Sequence, residues 1–388
     1  GLEPTAEIRA LESAILRQED VGSLVPRPAE PAAPASTARS VRLLGRTGEL
    51  AALERATRRA LEGSSSLILV EGEAGVGKTR LLDELAISLV GVRIGRASGS
   101  ELEQHLPYVP LAAAVRNAIC RLELAGQRWP ALARILPELS FDESRRPAGQ
   151  LGALEALAEL IAEHAPVVLV IDDVQWADSA TIAAISYLRR RCADVALAVV
   201  AGARTEQTPP GHAVRSLRPD TAIRLEPLTR AELAPLGIAD IYESTGGNPR
   251  FVAEALATGG GTAASSTLAE SLRAECRAEG PWAYRVLLAA SILTQPFEPQ
   301  PLAALLYADP FELAEELERL CERRILAVDG LGFRFRYELV REVLRSSLSP
   351  ARRRLLEDLL ENPREDTGSP PAGRGQALRA VTAAAHAR

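Results

Sequence analysis

The segment Gly72-Glu-Ala-Gly75-Val-Gly77-Lys78-Thr79 fits the spacing of a glycine, four free positions, a glycine, a lysine and a hydroxyl residue. Glycines let the backbone curl until its N–H groups face inward, and a helix that starts at the end of the loop adds its positive dipole end. A loop of this kind cradles a polyphosphate. Lys78 is positioned to reach β and γ phosphates, and the Thr79 hydroxyl to ligate magnesium. The expected nucleotide contacts are Gly72, Ala74, Gly75, Val76, Gly77, Lys78, Thr79 and Arg80. Of the 45 lysines and arginines in the chain, Lys78 is the only lysine. Arginine fills every position where a cation only had to be solvated, whereas a compact ammonium on a flexible stem fits between phosphate oxygens.

A second chemical group lies at Asp172 and Asp173, directly after the apolar run Val167 to Ile171. A buried parallel strand that ends in two carboxylates delivers them to the carboxyl edge of a sheet, where open α/β folds bind ligands. Asp172 is expected to hold magnesium through water. Asp173 is expected either to orient or deprotonate an attacking water, or to cap the following helix. Arg204, at the end of another apolar run, is placed either to sense a γ-phosphate or to be one more solvated arginine. Arg46, just before the first helix of this region, lies where a chain can close over adenine. Trp176 either packs the strand end or faces a neighbour, and packing is the commoner fate of a tryptophan.

These residues need a scaffold, and the pattern from about Val41 to Leu228 supplies one by alternating short apolar runs with amphipathic stretches. Strands are predicted at Leu67 to Val70, Val92 to Ile94, Val167 to Ile171, Ala196 to Val200 and Ala222 to Leu225. Helices are predicted at Thr79 to Leu89, Leu111 to Leu122, Leu151 to His164 and Ala177 to Arg190. The expected fold is an α/β P-loop NTPase: a parallel five-stranded sheet in a three-layer sandwich with right-handed crossovers. Residues 229–280 read as a small helical domain. Residues 281–348 read as helix, helix, helix and a strand pair turning at Asp329-Gly330, the order of a winged helix. Residues 349–388 read as the start of a further helical region. At the other end, residues 1–20 form a helix too small to stand alone, and the Pro, Ala and Ser content of residues 21–40 marks a linker.

The chain of 388 residues is 47% hydrophobic and 25% charged, as soluble globular proteins are, and has no apolar run near the ~20 residues of a membrane span. A net charge of −6 argues against nucleic acid as the main partner. The arginines between Arg323 and Arg354 are diluted by acids, so they read as a solvated or interdomain face rather than a DNA patch. Cys120, Cys192, Cys276 and Cys321 lack CxxC spacing, which points to a reduced cytoplasmic setting and no structural zinc. The chain opens at Gly1 and contains no methionine, which suggests an excised fragment.

In order, LLGRTGEL, GEAGVGKTR, SELEQHLPYVPL, VIDDVQWAD, VVAGART and TGGNPRFVAEAL resemble the ATPase module of the STAND signalling ATPases, a branch of the AAA+ related P-loop proteins. The resemblance covers about Val41 to Leu348. It implies that Gly247-Asn248-Pro249 is a GxP signature whose Pro249 packs against adenine and couples nucleotide state to the later domains. It also implies a closed ADP-bound form and an open ATP-bound form that assembles into a homo-oligomer, with slow hydrolysis of ATP to ADP and phosphate. Phe335-Arg-Tyr337-Glu-Leu-Val-Arg-Glu342 departs from the family pattern, because Tyr337 stands where a histidine often meets the ADP β-phosphate. The first 20 residues resemble the end of the bacterial transcriptional activator domain of SARP-type antibiotic regulators. That resemblance implies that DNA and RNA polymerase are engaged only through missing N-terminal domains. An ATPase module of a LuxR-type regulator, kinase or cyclase, or a true AAA+ motor or DNA loader, remains the alternative.

Overall fold

Five β-strands form one parallel sheet, and their order explains which residues meet at its edge. A computed structural model describes residues 45–119, 128–139, 149–257 and 264–361. The expected opening helix, linker and final helical stretch lie outside the described residues in whole or in part, as do residues 120–122 of one expected helix and Cys120. All described residues fall within one compact unit.

Helix α1, Thr47–Leu61, leads into strand β1, Ser66–Gly72. After the phosphate loop come α2, Lys78–Ser88, and β2, Arg93–Ser98. The helices α3, Val109–Ala118, and α4, Gln150–His164, precede β3, Val167–Asp172. Then follow α5, Ser179–Arg191, β4, Leu197–Arg204, and β5, Thr221–Leu225. The strands lie side by side in the order β2-β3-β4-β1-β5, all parallel. Thus β4 sits between the strand that feeds the phosphate loop and the strand that delivers Asp172.

Alternation along the strands covers both faces. Leu67, Leu69, Val167, Leu169, Ile171, Leu197 and Val199 point into a core shared with Leu111, Leu157, Ile161 and Leu188 of α3, α4 and α5. The intervening residues Ile68, Val70, Val168, Val170 and Val200 are equally buried, on the side that α1 and α2 cover. Between Gly45 and Leu225 each predicted strand and helix has a counterpart among the described residues. Strands β1 to β4 all run further towards their carboxyl ends than the apolar pattern indicates, and Gly72 and Arg204 are still in register across β1 and β4. The helix expected from Ala177 starts at Ser179, because the Asp178 side chain accepts from the Thr181 N–H and caps it.

Beyond β5 the described elements are helical up to a single antiparallel pair. They are α6, Arg230–Leu233, α7, Tyr242–Thr245, α8, Pro249–Ala257, α9, Ser266–Ala278, α10, Pro281–Ala290, α11, Pro299–Leu306, and α12, Pro310–Glu322. Strands β6, Leu326–Asp329, and β7, Gly332–Phe335, then pair antiparallel around Gly330, which has a positive φ. Helix α13, Glu338–Ser346, and helix α14, Pro350–Glu361, follow. A second apolar core, with Leu272, Val286, Leu302, Leu317, Phe335 and Leu344 among its members, joins α9 to α13. Among the described residues no helix is long and apolar enough to cross a membrane.

Candidate functional site

The phosphate loop turns as its glycines require. Gly75 and Gly77 have φ of +76° and +99°, and a Cβ at Gly75 would press on Asn248 and Arg250, both atoms at 2.8 Å. The loop ends at the first turn of α2, so its backbone N–H groups and the helix dipole converge on one place. Lys78 is buried and donates to the carbonyls of Gly72 and Glu73, each at 2.8 Å. Burial lowers its pKa from the ordinary lysine value, while the fields of Glu206, Asp172 and Asp173 oppose that drop. A desolvated cation with three nearby carboxylates is an anion receptor with its own counter-ions in place.

Thr79 donates its hydroxyl to Asp172 at 2.5 Å, and the other Asp172 oxygen accepts the Asp173 N–H at 2.9 Å. Gly202 on β4 leaves room for this carboxylate, since any side chain there would collide with it. One hydroxyl and one buried carboxylate suit a small hard cation that keeps water and phosphate oxygens in the rest of its shell. Among the described residues no group of three or more His, Cys, Asp or Glu could hold a metal without such outside ligands.

Asp173, at a left-handed φ of 46°, faces Arg204 rather than the loop. Its carboxylate accepts from Arg204 Nε at 2.9 Å, from Arg204 Nη2 at 3.3 Å and from Gln175 Nε2 at 2.8 Å. The Gln175 oxygen in turn accepts the Arg204 N–H at 3.1 Å. The two residues expected to act on a terminal phosphate are therefore paired with each other.

Arg46 is buried and bonds the carbonyls of Val76 and Glu226, together with Glu49. It ties the loop to the segment after β5, and the next residue of that segment, Pro227, begins the wall of a cavity of about 370 Å³. Leu228, Thr229, Tyr242, Arg336 and Tyr337 continue that wall. The volume falls in the range of small-molecule pockets. Pro249 is not in this wall; it opens α8. Its neighbours hold the loop instead. Asn248 donates to the Ala74 carbonyl at 2.9 Å, and the Arg250 N–H reaches the Gly75 carbonyl at 3.2 Å. Arg80 is exposed and pairs with Glu84.

Several residues in the site escape the sequence reading. Glu73, inside the loop and buried, accepts from Arg336 Nε at 3.0 Å, from Arg324 Nη1 at 3.1 Å and from the Tyr337 hydroxyl at 2.6 Å. Burial, then the Glu73 charge, pushes Tyr337 up to about 12. Tyr337 also stacks edge-on against Phe251, with ring centroids 5.0 Å apart. Glu206, two residues past β4, accepts the Ala74 N–H at 2.9 Å. The sequence signal for Glu73 was an acid within a loop built for anions. For Glu206 there was no signal beyond its nearness to Arg204. Four of the arginines near β6 and β7 are internal partners: besides Arg324 and Arg336, Arg323 pairs with Glu279 and Arg341 bonds the carbonyls of Ser291 and Leu293, whereas Arg334 is exposed and pairs with Asp329. Trp176 lines a second cavity, of about 490 Å³, together with Ala74, Arg204, Glu206, Phe251 and Arg323.

No curated protein matches the chain in sequence. Among solved structures, the Walker-type ATPase of Pyrococcus abyssi is similar in fold, with 14% identity and a TM-score of 0.51 over 78% of this chain and 96% of that one. A STAND protein with a tetratricopeptide repeat sensor from Pyrococcus horikoshii aligns at 16% identity and a TM-score of 0.33, over 83% of this chain and 46% of its own length. The RuvB branch migration motor of Thermotoga maritima aligns at 20% identity and a TM-score of 0.32, over 74% of this chain and 89% of that one. Residues 42–200 match the family model of the AAA ATPase domain, so the span that carries the phosphate loop, Asp172 and Asp173 is of the AAA P-loop ATPase type.

Proposed function

We propose that this chain is a nucleotide-dependent switch of the STAND kind. ATP or ADP held with magnesium in the phosphate loop sets how a helical domain (229–280) and a winged-helix domain (281–348) dock on the nucleotide-binding domain (41–228). The observation that carries this reading is the clasp on Glu73: Arg324, Arg336 and Tyr337, all from the later elements, close on a residue of the loop itself. A ligand in the loop acts on that clasp directly. A ligand shifts a two-state equilibrium only by the difference in its contacts with the two states, and here the contacts that differ adjoin the phosphates.

In this reading the clasped arrangement is the resting, diphosphate form. Lys78 and the loop N–H groups bind the phosphates, Thr79 and Asp172 hold the metal, and the cavity beside Tyr242 takes the nucleoside. Magnesium held by Thr79 and Asp172 would offset the charge of the phosphates. Asp173 must leave Arg204 before it can take a proton from water, which supports slow hydrolysis. The triphosphate form separates the domains and assembles into a homo-oligomer. Output passes to a SARP-type transcriptional activator.

Calorimetric titration with ADP and with ATP, each with magnesium, tests the reading. Wild-type protein is expected to bind both, and Lys78→Ala to bind each at least about 100-fold more weakly, since charge-assisted bonds to phosphate are lost. Equal affinity in the variant contradicts it.

A further inference from the structure

We propose that Glu206 makes the clasped arrangement selective for a nucleoside diphosphate, because its carboxylate holds the loop N–H that a terminal phosphate must take. The inference deepens the reading of the phosphate loop given above and rests on it.

Glu206 Oε1 accepts the Ala74 N–H at 2.9 Å, and its other oxygen accepts from the Thr205 hydroxyl at 3.3 Å. Ala74 lies on the β1 side of the loop, away from the α2 end whose N–H groups cradle the inner phosphates. Its surroundings also mark the terminal end. The cavity that Ala74 lines contains Arg204 and Trp176, whereas the cavity beside Tyr242 that suits a nucleoside lies against Pro227 and Thr229. A carboxylate oxygen on a loop N–H is a chemical stand-in for a phosphate oxygen, in charge and in hydrogen bonding alike.

The charge environment supports the same role. This chain is rich in arginine, and Glu73 has two arginine partners. Among the described residues Glu206 has no ion-pair partner, and no carboxylate acts more strongly than Glu206 to keep Lys78 protonated. Its counter-charge is the lysine that serves the outer phosphates. A diphosphate leaves Glu206 in place. A third phosphoryl group brings like charge against it and competes for the same N–H and the same ammonium. The segment that carries Glu206 is also tied to the later elements, because Arg323 donates to the Glu206 backbone carbonyl at 3.2 Å while paired with Glu279 at 3.0 Å.

The test is titration of the full chain with ADP and with a non-hydrolysable ATP analogue, each with magnesium, for wild type, Glu206→Gln and Glu206→Ala. Glutamine keeps the shape and an acceptor for Ala74 but removes the charge. Wild type is expected to bind ADP at least tenfold more tightly than the analogue. Both variants are expected to bring the two affinities within about threefold by tightening the analogue, with ADP changed by less than threefold. Glu206→Asp, which keeps the charge, is expected to retain the preference. A ratio that stays the same in wild type and both neutral variants overturns the role of Glu206 alone. Failure of wild type to bind either nucleotide overturns the phosphate-loop reading, and this inference with it.

Discussion

Tyr337 and Lys78 show how burial sets the chemistry of single residues in this site. The phenol of Tyr337 is desolvated and donates to the Glu73 carboxylate, so its proton is held well beyond the ordinary value of 10.0 and is lost at about 12. A raised folded-state pKa adds stability that is fully present below pH 10 and is lost as the pH climbs through 12. At neutral pH the clasp is therefore intact. The absorbance difference between wild type and Tyr337→Phe during an alkaline titration isolates this phenol from the other tyrosines. With ADP bound, the transition is expected near 12, and a midpoint near 10 would show that Tyr337 is not buried against Glu73. Lys78 is the opposite case: burial lowers its affinity for a proton, and a bound polyphosphate restores it. The lone lysine was legible in the sequence because a compact ammonium fits between phosphate oxygens where a planar guanidinium does not. The acid next to it was not assigned a role, because a sequence does not show that Arg336 lies within hydrogen-bond distance of a glutamate 263 positions earlier.

At the scale of elements, the order of the strands decides which side chains meet. Insertion of β4 between β1 and β3 brings Arg204 beside Asp173 and sets Gly202 behind Asp172. Apolar runs located the central strands β1, β3 and β4, since a strand buried on both faces reads as an unbroken apolar run, whereas of the partly exposed edge strands they gave β5 but only the start of β2. They did not give the lateral order of the strands, and so they placed Asp173 and Arg204 separately at the sheet edge without pairing them. Similarly, the glycine spacing located the loop, and the sequence after Gly246 marked a second motif, but the bonds fell to Asn248 and Arg250 rather than to Pro249. The pair at the sheet edge has a consequence for turnover. Asp173→Asn is expected to lower the rate of ATP hydrolysis about 100-fold or more, the usual contribution of a general base, while leaving ATP affinity within about threefold. Single-turnover hydrolysis measured beside equilibrium binding checks this, and a variant that hydrolyses ATP at the wild-type rate excludes Asp173 as the base.

Across the whole molecule, the buried Glu73 joins the sheet domain to the elements that follow it. Breaking a buried ion pair from one side leaves an uncompensated charge at a cost of about 3–5 kcal/mol. The double substitution Arg324→Ala and Arg336→Ala is therefore expected to weaken the clasped arrangement without touching Lys78. In the presence of ADP its radius of gyration, measured by X-ray scattering, is expected to exceed that of wild type; equal radii would show that the arginines do not hold the domains together. The central claim is that the phosphates bound in the loop set the arrangement of the later domains. It is tested most directly by the molar mass of the full chain in light scattering with ADP and with a non-hydrolysable ATP analogue, using Lys78→Ala as control. The account predicts a monomer with ADP, a homo-oligomer with the analogue, and no response to either in Lys78→Ala. The same mass with both nucleotides, and a radius of gyration that also does not change, would contradict it.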